Sequence, residues 1–152
     1  MQVAVIEYAR NVAGITDADS GEFNELCAHK VIDFMPGQSN DIDKGGTLRL
    51  GAYPCVIREN TTMQRCYGVN LISERHRHRY EFNNDYREPL EKAGLTLSGL
   101  SPDGHLVETV ELSERPFYVG VQFHPEFKSR PNKAHPLFKG FIAAALDKAL
   151  GK

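Results

Sequence analysis

The chain has 152 residues, of which 41% are hydrophobic and 25% are charged, and its formal net charge is −2. This composition is typical of a folded globular domain and excludes a wholly disordered chain. The small net charge argues against a surface built mainly for nucleic acid or an anionic membrane, and the sequence contains no apolar run of the roughly 18 residues that a membrane span needs.

The first third of the chain predicts a helix, a loop and a strand. Apolar residues at helical spacing predict a helix over residues 1–13, with Gly14 as its C-terminal cap. The polar, turn-rich segment 16–22 predicts a loop. The apolar run 31–35 predicts a short strand, and the polar, acidic segment 38–44 after it predicts a mobile surface loop.

The middle of the chain predicts extended segments on either side of a short helix. Residues 45–58 are predicted to be extended after an opening pair of glycines, and residues 61–67 are predicted to form a short helix closed by Gly68. Residues 70–82 are again predicted to be extended, and they carry the run Arg-His-Arg-His-Arg. A further helix is predicted over residues 85–93.

The last third predicts a hairpin, a buried strand and an amphipathic helix. Two alternating runs, 95–100 and 106–112, flank a Ser-Pro-Asp-Gly turn and predict a β-hairpin. Residues 117–123 predict a buried strand, and residues 136–150 predict a helix that begins with proline. Because helices and strands are mixed along the chain with short connections, the sequence predicts an α/β domain whose sheet is not purely parallel.

A histidine directly follows the predicted strand over residues 117–123. Ligands of open α/β sheets bind at the carboxyl ends of buried strands, where His124 would lie. Pro125 fixes the turn, and Glu126 follows within reach of the imidazole. A carboxylate on one ring nitrogen orients the ring and leaves the other nitrogen to act as a base. The pattern is typical of a catalytic pair, but it also fits a histidine that caps a strand beside an exposed glutamate.

The basic run over residues 75–79 has three interpretations. On a strand, Arg75, Arg77 and Arg79 share one face, and His76 and His78 share the other. The arginines suit a carboxylate or phosphate, the histidines suit a metal ion, and the whole run also suits a charged, solvated edge strand. Since no nearby carboxylate or cysteine completes a metal-ligand set, anion binding by at least one arginine is favoured over metal binding.

Two further segments leave alternatives open. Residues 45–51, Gly-Gly-Thr-Leu-Arg-Leu-Gly, lack the spacing of a phosphate-binding loop, so turn glycines before a strand are the better interpretation. Residues 19–22, Asp-Ser-Gly-Glu, either place a carboxylate at a ligand or form a simple turn. Neither segment identifies a site by itself.

The three cysteines match no catalytic or structural pattern. Cys27, Cys55 and Cys66 are an odd number without Cys-x-x-Cys spacing, which argues against a disulfide framework or a zinc knuckle and favours a reducing cytoplasm. None follows the strand-to-turn-to-helix pattern that presents a nucleophile. We therefore expect three buried, unreactive thiols.

Five segments together resemble the class I glutamine amidotransferase domain of the CTP synthase family, over essentially the whole chain. They are residues 1–12, 19–23, 45–51, 74–81 and 120–127. The last segment is shared broadly by class I amidotransferases, whereas 45–51 and 74–81 are similar to the CTP synthase family in particular. The resemblance implies that residues 1–152 are the C-terminal portion of a three-layer, flavodoxin-like α/β domain with a mixed sheet, lacking its N-terminal strands.

The resemblance also implies a glutaminase triad of cysteine, histidine and glutamate that hydrolyses L-glutamine through a thioester. In it, His124 is the general base and acid, and Glu126 orients the imidazole. The family's nucleophilic cysteine is expected just upstream of Met1 and is not in this sequence. We therefore expect the 152-residue chain alone to be inactive.

Four residues are implied to contact the bound glutamine. Gln2 and Glu22 are two of them, and Glu22 suits the α-ammonium group of the substrate. Arg79, with the backbone beside Tyr80, is implied to hold the α-carboxylate.

In the CTP synthase family, ammonia passes through a tunnel to a synthetase domain that aminates UTP to CTP. The resemblance therefore implies ATP and magnesium in a synthetase domain outside this chain, GTP as an effector, and no cofactor or metal in the chain itself. It also implies that the parent protein is a cytoplasmic homotetramer. The N-terminal half of the glutaminase domain, which this sequence lacks, is expected as a further partner of this chain. Nucleic acid and membranes are not expected as partners.

A non-catalytic module is the competing interpretation. In it, the strand over residues 75–79 binds an anion or a protein partner, and the binding weakens with salt and with substitution of Arg77 but does not depend on His124. A metal hydrolase that uses His76, His78 and His124 is a third, weaker interpretation.

Overall fold

The computed structural model describes residues 1–34 and 49–151. These residues contain four α-helices, eight β-strands and two short 3-10 turns. The loop predicted over residues 38–44 and the first residues of the segment predicted over 45–58 lie outside the described residues.

The N-terminal elements form a helix over a short parallel strand pair. Helix α1 spans Gln2–Asn11, strand β1 spans Ala18–Ser20 and strand β2 spans His29–Phe34. The helix and β2 confirm two predicted elements. The loop predicted over residues 16–22 is wrong at its centre, because β1 pairs in parallel with β2 and is stabilised by that neighbour rather than by its own polar sequence.

The central elements are a long strand, a short helix and two strands. Strand β3 spans Arg49–Ile57, α2 spans Thr62–Tyr67, β4 spans Leu71–His78 and β5 spans Tyr80–Phe82. The single extended segment predicted over residues 70–82 is thus two strands, and they lie in different sheets. Helix α2 ends at Gly68, whose φ of 71° is in the left-handed region that glycine tolerates best.

The C-terminal elements largely follow the prediction. A 3-10 turn precedes helix α3, which spans Arg87–Lys92, and then come β6 at Thr96–Leu100, β7 at Val107–Glu111, β8 at Val119–Val121 and α4 at Pro136–Ala149. Strands β6 and β7 form the predicted antiparallel hairpin. Strand β8 is shorter than the predicted segment 117–123, and it pairs with β7 over three residues.

The described strands form two sheets. The smaller sheet has the order β1-β2-β5 and is mixed, because β1 is parallel and β5 antiparallel to β2. The larger sheet has the order β4-β3-β6-β7-β8, and every neighbouring pair in it is antiparallel. Two hydrophobic cores flank these sheets, one under α1 and one between α2 and α4.

The larger sheet is curled, and the chain after β8 joins its two edges. The amide of Gln122 donates to the carbonyl of Glu108 on β7 at 2.9 Å. Two residues later, the amide of His124 donates to the carbonyl of Arg75 on β4, also at 2.9 Å. Because β4 and β8 are opposite edge strands, this crossing places His124 beside the basic run of β4.

Candidate active site

His124 lies on a turn immediately after β8. Phe123, just before it, is 2% exposed and anchors the chain in the core between α2 and α4. A 3-10 turn over Pro125–Phe127 then brings Glu126 back toward the imidazole. The sequence predicted this arrangement of a strand end, a proline turn and a carboxylate.

The imidazole of His124 is held by the carboxylate of Glu126. Nδ1 of His124 lies 2.7 Å from Oε1 of Glu126, and the ring stacks on Phe127 with its centroid 5.1 Å away. A carboxylate only accepts hydrogen bonds, so Nδ1 carries the proton. Within residues 1–34 and 49–151, Nε2 has no hydrogen-bond partner. The side chains are 36% and 55% exposed, so Nε2 is accessible to a reacting group.

The pair also lowers the pKa of Glu126 below its ordinary value. Burial opposes this change, but the hydrogen bond from His124 and the nearby charge of Arg77 favour the ionised carboxylate more strongly. Glu126 is therefore an anion that can stabilise an imidazolium.

A cavity of about 380 Å³ contains all four residues for which a glutamine contact was expected. Its lining consists of Gln2, Glu22, Arg77, His78, Arg79 and Tyr80. The residues come from the first turn of α1, the turn after β1, the end of β4, the bend after it and the start of β5. The structure thus brings together residues that are 78 positions apart in sequence, as in the hydrogen bond from Gln2 Nε2 to the carbonyl of Tyr80 at 2.9 Å.

The cavity carries both signs of charge. Arg77 and Arg79 supply cations, and Glu22 supplies an anion. Neither arginine forms a salt bridge with any described residue, so both guanidinium groups can bind an external carboxylate. A cavity with this charge distribution suits a zwitterionic amino acid.

Two local features position Glu22 and Tyr80. The turn before Glu22 approaches β2 so closely that a Cβ on Gly21 would lie 2.6 Å from Oδ1 of Asp33, and a larger residue there would displace the Asp33 side chain. The ring of Tyr80 stacks on Phe34 at a centroid distance of 4.5 Å, and the two residues are paired across β5 and β2.

The alternation predicted for the basic run is present as far as the end of β4. Arg75 and Arg77 are exposed, whereas His76 is buried on the opposite face and Nδ1 of His76 lies 2.8 Å from Nε2 of His78. Arg79 lies beyond β4, in the bend before β5, and lines the cavity together with Arg77 at the end of the row. In the part of the chain that the structure describes, no three His, Cys, Asp or Glu side chains are grouped to hold a metal ion.

A buried polar network behind the cavity was not foreseen from the sequence. Arg49 binds Glu108 with two hydrogen bonds, of 2.7 and 3.1 Å, and also reaches Glu81 at 3.3 Å. Gln122 donates from Nε2 to Oε2 of Glu81 at 3.0 Å and to the carbonyl of Tyr80 at 3.0 Å. Charged residues are ordinarily exposed, so their residue types gave no sign of the network. The one available signal was their position on the inward-facing side of alternating strands.

Burial displaces the pKa values of this network. Burial raises the pKa of Glu81 to about 7, against the opposing effects of Gln122 and Arg49. Burial and the charge of Arg49 lower the pKa of His76 to about 3 and that of His78 to about 4. Both imidazoles are therefore neutral at pH 7.

A second buried cluster supports the turn that carries His124. Glu74 on β4 accepts hydrogen bonds from the hydroxyl of Tyr67 at 3.0 Å and from Nε2 of His135 at 3.2 Å. Lys128, just after the turn, lies 3.5 Å from the same carboxylate. Together these contacts fix the turn against α2 and the start of α4.

The three cysteines differ in exposure but share a low tendency to ionise. Cys55 is buried as expected, and burial raises its pKa to about 12. The expectation of burial is wrong for Cys27 and Cys66, which are partly exposed because they lie on a loop and on the last turn of α2. Burial remains the largest of several effects that raise the pKa of both. None of the three is poised as a thiolate.

Comparison with known proteins identifies relatives over nearly the whole chain. The family described as glutamine amidotransferase class-I matches residues 1–144. A CTP synthase from Ruminiclostridium cellulolyticum is 61% identical over 97% of this chain, and CTP synthases from Chlorobium phaeobacteroides and Rubrobacter xylanophilus are 58% and 59% identical over 99% and 98% of it. This chain spans 27% of the length of each of these three relatives.

A solved structure shares the fold. The glutaminase domain of Trypanosoma brucei CTPS with bound acivicin superposes with a TM-score of 0.90 at 42% identity, over 97% of this chain and 57% of that chain. This likeness confirms the predicted fold class, with its helices around mixed and curled sheets. Among the described residues, no helix is long and apolar enough to cross a membrane. The roles assigned to individual side chains stay predictions.

Proposed function

The chain belongs to the class I glutamine amidotransferase family, and from that membership we propose that it forms the base and the substrate-binding side of a glutaminase site. The observation that carries the proposal is the Nδ1–Oε1 distance of 2.7 Å between His124 and Glu126, beside a cavity lined by charges of both signs. The products of the proposed reaction are glutamate and ammonia.

His124 moves the protons in the proposed reaction. Its Nε2 takes the proton of a cysteine thiol, and the thiolate attacks the carboxamide carbon of glutamine. The same nitrogen returns the proton to the leaving amide nitrogen, so that the C–N bond breaks, ammonia departs and a thioester remains. His124 then deprotonates a water that attacks the thioester carbon, and the thiolate leaves and is reprotonated. Glu126 stabilises the imidazolium in both steps.

The cavity residues bind the unreactive end of glutamine in this proposal. Arg79 binds the α-carboxylate with its two-pronged guanidinium group, beside the backbone of Tyr80. Glu22 pairs with the α-ammonium group, and Gln2 contacts the substrate with its side-chain amide. The charges of the cavity support this assignment, since they complement both ends of an amino acid zwitterion.

We assign the nucleophile to a cysteine just upstream of Met1 in the natural gene product. The start of α1 packs on β8, where a Cβ on Gly120 would lie 3.1 Å from Cα of Met1. A residue before Met1 would therefore lie at the positive end of the α1 dipole and close to the strand that leads to His124, and such a position favours a thiolate. The 152-residue chain, expressed alone, is expected to be inactive because none of its own thiols ionises readily.

We further propose that the gene product carrying this chain is a CTP synthase that transfers the ammonia to UTP. ATP and magnesium act in that amination step, in a synthetase domain outside these 152 residues, and GTP is the effector. The described residues offer magnesium no ligand set, and no step assigned to this chain passes through a metal or a nucleotide. A cytoplasmic homotetramer completes the proposal.

An isotope transfer experiment tests the proposal as a whole. The purified gene product receives glutamine labelled with ¹⁵N in the side-chain amide, together with ATP, magnesium and UTP. The proposal predicts ¹⁵N in the exocyclic amine of CTP and labelled ammonia when UTP is left out. Labelled ammonia without labelled CTP would contradict the CTP synthase assignment, and neither product would contradict the glutaminase assignment.

An anion-binding module is the second candidate, favoured by one observation. Arg75 and Arg77 are exposed on β4, the edge strand of the larger sheet, and form no salt bridge with a described residue. This function predicts phosphate binding that weakens with salt and with Arg77→Gln and persists in His124→Ala. Glutamine turnover that depends on His124 would exclude it as the main function.

A further inference from the structure

A chain of side-chain amides connects the buried Glu81 carboxylate to the cavity. We infer that Glu81 is a positioning residue that orients Gln122 and, through it, Gln2, so that Gln2 presents a hydrogen-bond acceptor to the substrate. The inference rests on the proposed glutaminase function and adds to it a residue that does not line the cavity.

The chain of contacts is continuous and largely buried. Glu81 is 3% exposed and Gln122 is 6% exposed. Nε2 of Gln122 donates to Oε2 of Glu81 at 3.0 Å, and Oε1 of Gln122 accepts from Nε2 of Gln2 at 3.3 Å. The carbonyl of Tyr80 lies between the two amides and accepts from both, at 2.9 and 3.0 Å.

The carboxylate of Glu81 and the carbonyl of Tyr80 only accept hydrogen bonds, and together they determine the direction of the hydrogen bonds in this chain. An ionised carboxylate only accepts, so Gln122 turns its amino group toward Glu81 and its carbonyl oxygen toward Gln2. Gln2 must then turn its own amino group inward, to Gln122 and to Tyr80. Oε1 of Gln2 has no hydrogen-bond partner within residues 1–34 and 49–151. It is therefore the atom of Gln2 that is available to accept a hydrogen bond from a ligand in the cavity. The ligand at this point is therefore a donor, such as an ammonium group or a carboxamide NH₂.

One cation and one neutral hydrogen-bond donor favour the ionised form of Glu81. Arg49 on β3 lies 3.3 Å from Oε1, and Nδ1 of His78 on β4 lies 3.4 Å from the same oxygen. Glu108 on β7 pairs with the same arginine, and its negative charge raises the pKa of Glu81 and so disfavours ionisation. Gln2 and Gln122, the other groups in this chain of contacts, are neutral. Burial still keeps the pKa of Glu81 near 7, so its proton equilibrium lies within a readily measured pH range.

The main test compares Glu81→Gln with Glu108→Gln in the natural gene product. In Glu81→Gln, Arg49 holds the new carbonyl oxygen, so the new amino group faces the amino group of Gln122. The Gln122 amide must then shift, or turn over and give up its hydrogen bond to the Tyr80 carbonyl, and either change disturbs its contact with Gln2. We expect KM for glutamine to rise about tenfold with kcat within about twofold, which corresponds to the loss of one hydrogen bond made equally to substrate and transition state. Glu108→Gln removes a carboxylate from the same arginine without touching the amide chain, and its KM should stay within about twofold of wild type.

A pH profile gives a readout that a merely structural role would not change. Wild-type KM should rise as pH falls through about 7, where Glu81 takes up its proton, and this rise should be absent in Glu81→Gln. If Glu81→Gln does not fold, Gln122→Met is the second variant, because it breaks the amide chain and leaves the Arg49–Glu81 contact in place. It should raise KM by a similar factor.

The outcomes separate this inference from the function on which it rests. A wild-type gene product that does not hydrolyse glutamine overturns the proposed function. A wild type that hydrolyses glutamine, with variants whose KM and pH profile match it, overturns the positioning role alone. An equal rise of KM in Glu81→Gln and Glu108→Gln also overturns it, because the effect would then belong to the whole buried network.

Discussion

Nδ1 of His124 lies 2.7 Å from Oε1 of Glu126, and this contact is made by two residues separated by a single proline. The short turn over Pro125–Phe127 brings the carboxylate to the ring. A local sequence feature thus creates the pair, while its placement beside the cavity depends on the chain crossing from β8 to β4.

Replacing Glu126 with glutamine should lower kcat far more than it changes KM. The amide can donate to Nδ1 and so favour the tautomer with its proton on Nε2, which cannot act as a base. We expect kcat for glutamine hydrolysis to fall by about 10²- to 10³-fold, measured as ammonia release by the natural gene product. Glu88→Gln, an exposed change on α3, is the control and should keep wild-type rates. A Glu126→Gln variant within threefold of wild type would show that the carboxylate does not orient the base.

The two cavity arginines should respond differently to substitution. Arg79 is assigned to the α-carboxylate, so Arg79→Gln should raise KM for glutamine by about 10- to 100-fold through loss of a charge-assisted pair. Arg77→Gln, which changes the same residue type in the same cavity, should raise KM by less than about threefold. Steady-state kinetics of both variants would check this, and a larger effect at Arg77 would reverse the assignment.

The buried histidine pair should make the domain sensitive to acid. Because the pKa values of His76 and His78 are lowered to about 3 and about 4, the unfolded chain binds protons more readily than the folded domain. Their stabilising contribution is complete above pH 6.5 and is lost as pH falls toward 4, by about 5 kcal/mol for the two groups together. Hydrogen exchange of the β4 amides, measured across this range, reports the change.

The histidine prediction has a matched pair of variants. His76→Leu should roughly halve the loss of stability between pH 6.5 and 4, since one of the two groups that must charge is gone. His105→Gln replaces an exposed histidine after the β6–β7 turn and should leave the pH dependence as in wild type. An unchanged pH dependence in His76→Leu would mean that other groups control the acid sensitivity.

Glu111 should stabilise the start of α2. Its buried carboxylate accepts from the amides of Thr62 and Met63 at 2.8 and 3.1 Å, so it satisfies two helix donors that have no partner in the helix. Glu111→Ala should lower the unfolding free energy by about 2 to 3 kcal/mol. Glu114→Ala, an exposed change three residues further along, should cost less than about 0.5 kcal/mol. Equal effects of the two changes in hydrogen exchange would contradict this assignment.

Elements with strong local signals were predictable from the sequence, and elements held by distant partners were not. The β6–β7 hairpin follows from its Ser-Pro-Asp-Gly turn, and α4 follows from Pro136 and its apolar spacing. Strand β1 is polar and three residues long, and it exists because β2 lies beside it. The break between β4 and β5 has no glycine or proline to mark it.

The candidate site shows the same division. His124 and Glu126 are neighbours in sequence, so their pairing could be derived from spacing alone. Arg79 was expected to continue the arginine row of β4, but it leaves the strand and reaches the cavity. Glu81 and Gln122 could not be linked from the sequence, because their contact depends on the approach of β5 to the segment after β8.

Glutamine hydrolysis by the natural gene product and its His124→Ala variant tests the central claim most directly. Ammonia release is measured at saturating glutamine, with His105→Ala as the control for the loss of an exposed histidine. The proposed site predicts that His124→Ala lowers kcat by at least about 10³-fold while His105→Ala stays at the wild-type rate. A wild type that releases no ammonia, or a His124→Ala variant within tenfold of an active wild type, would contradict it.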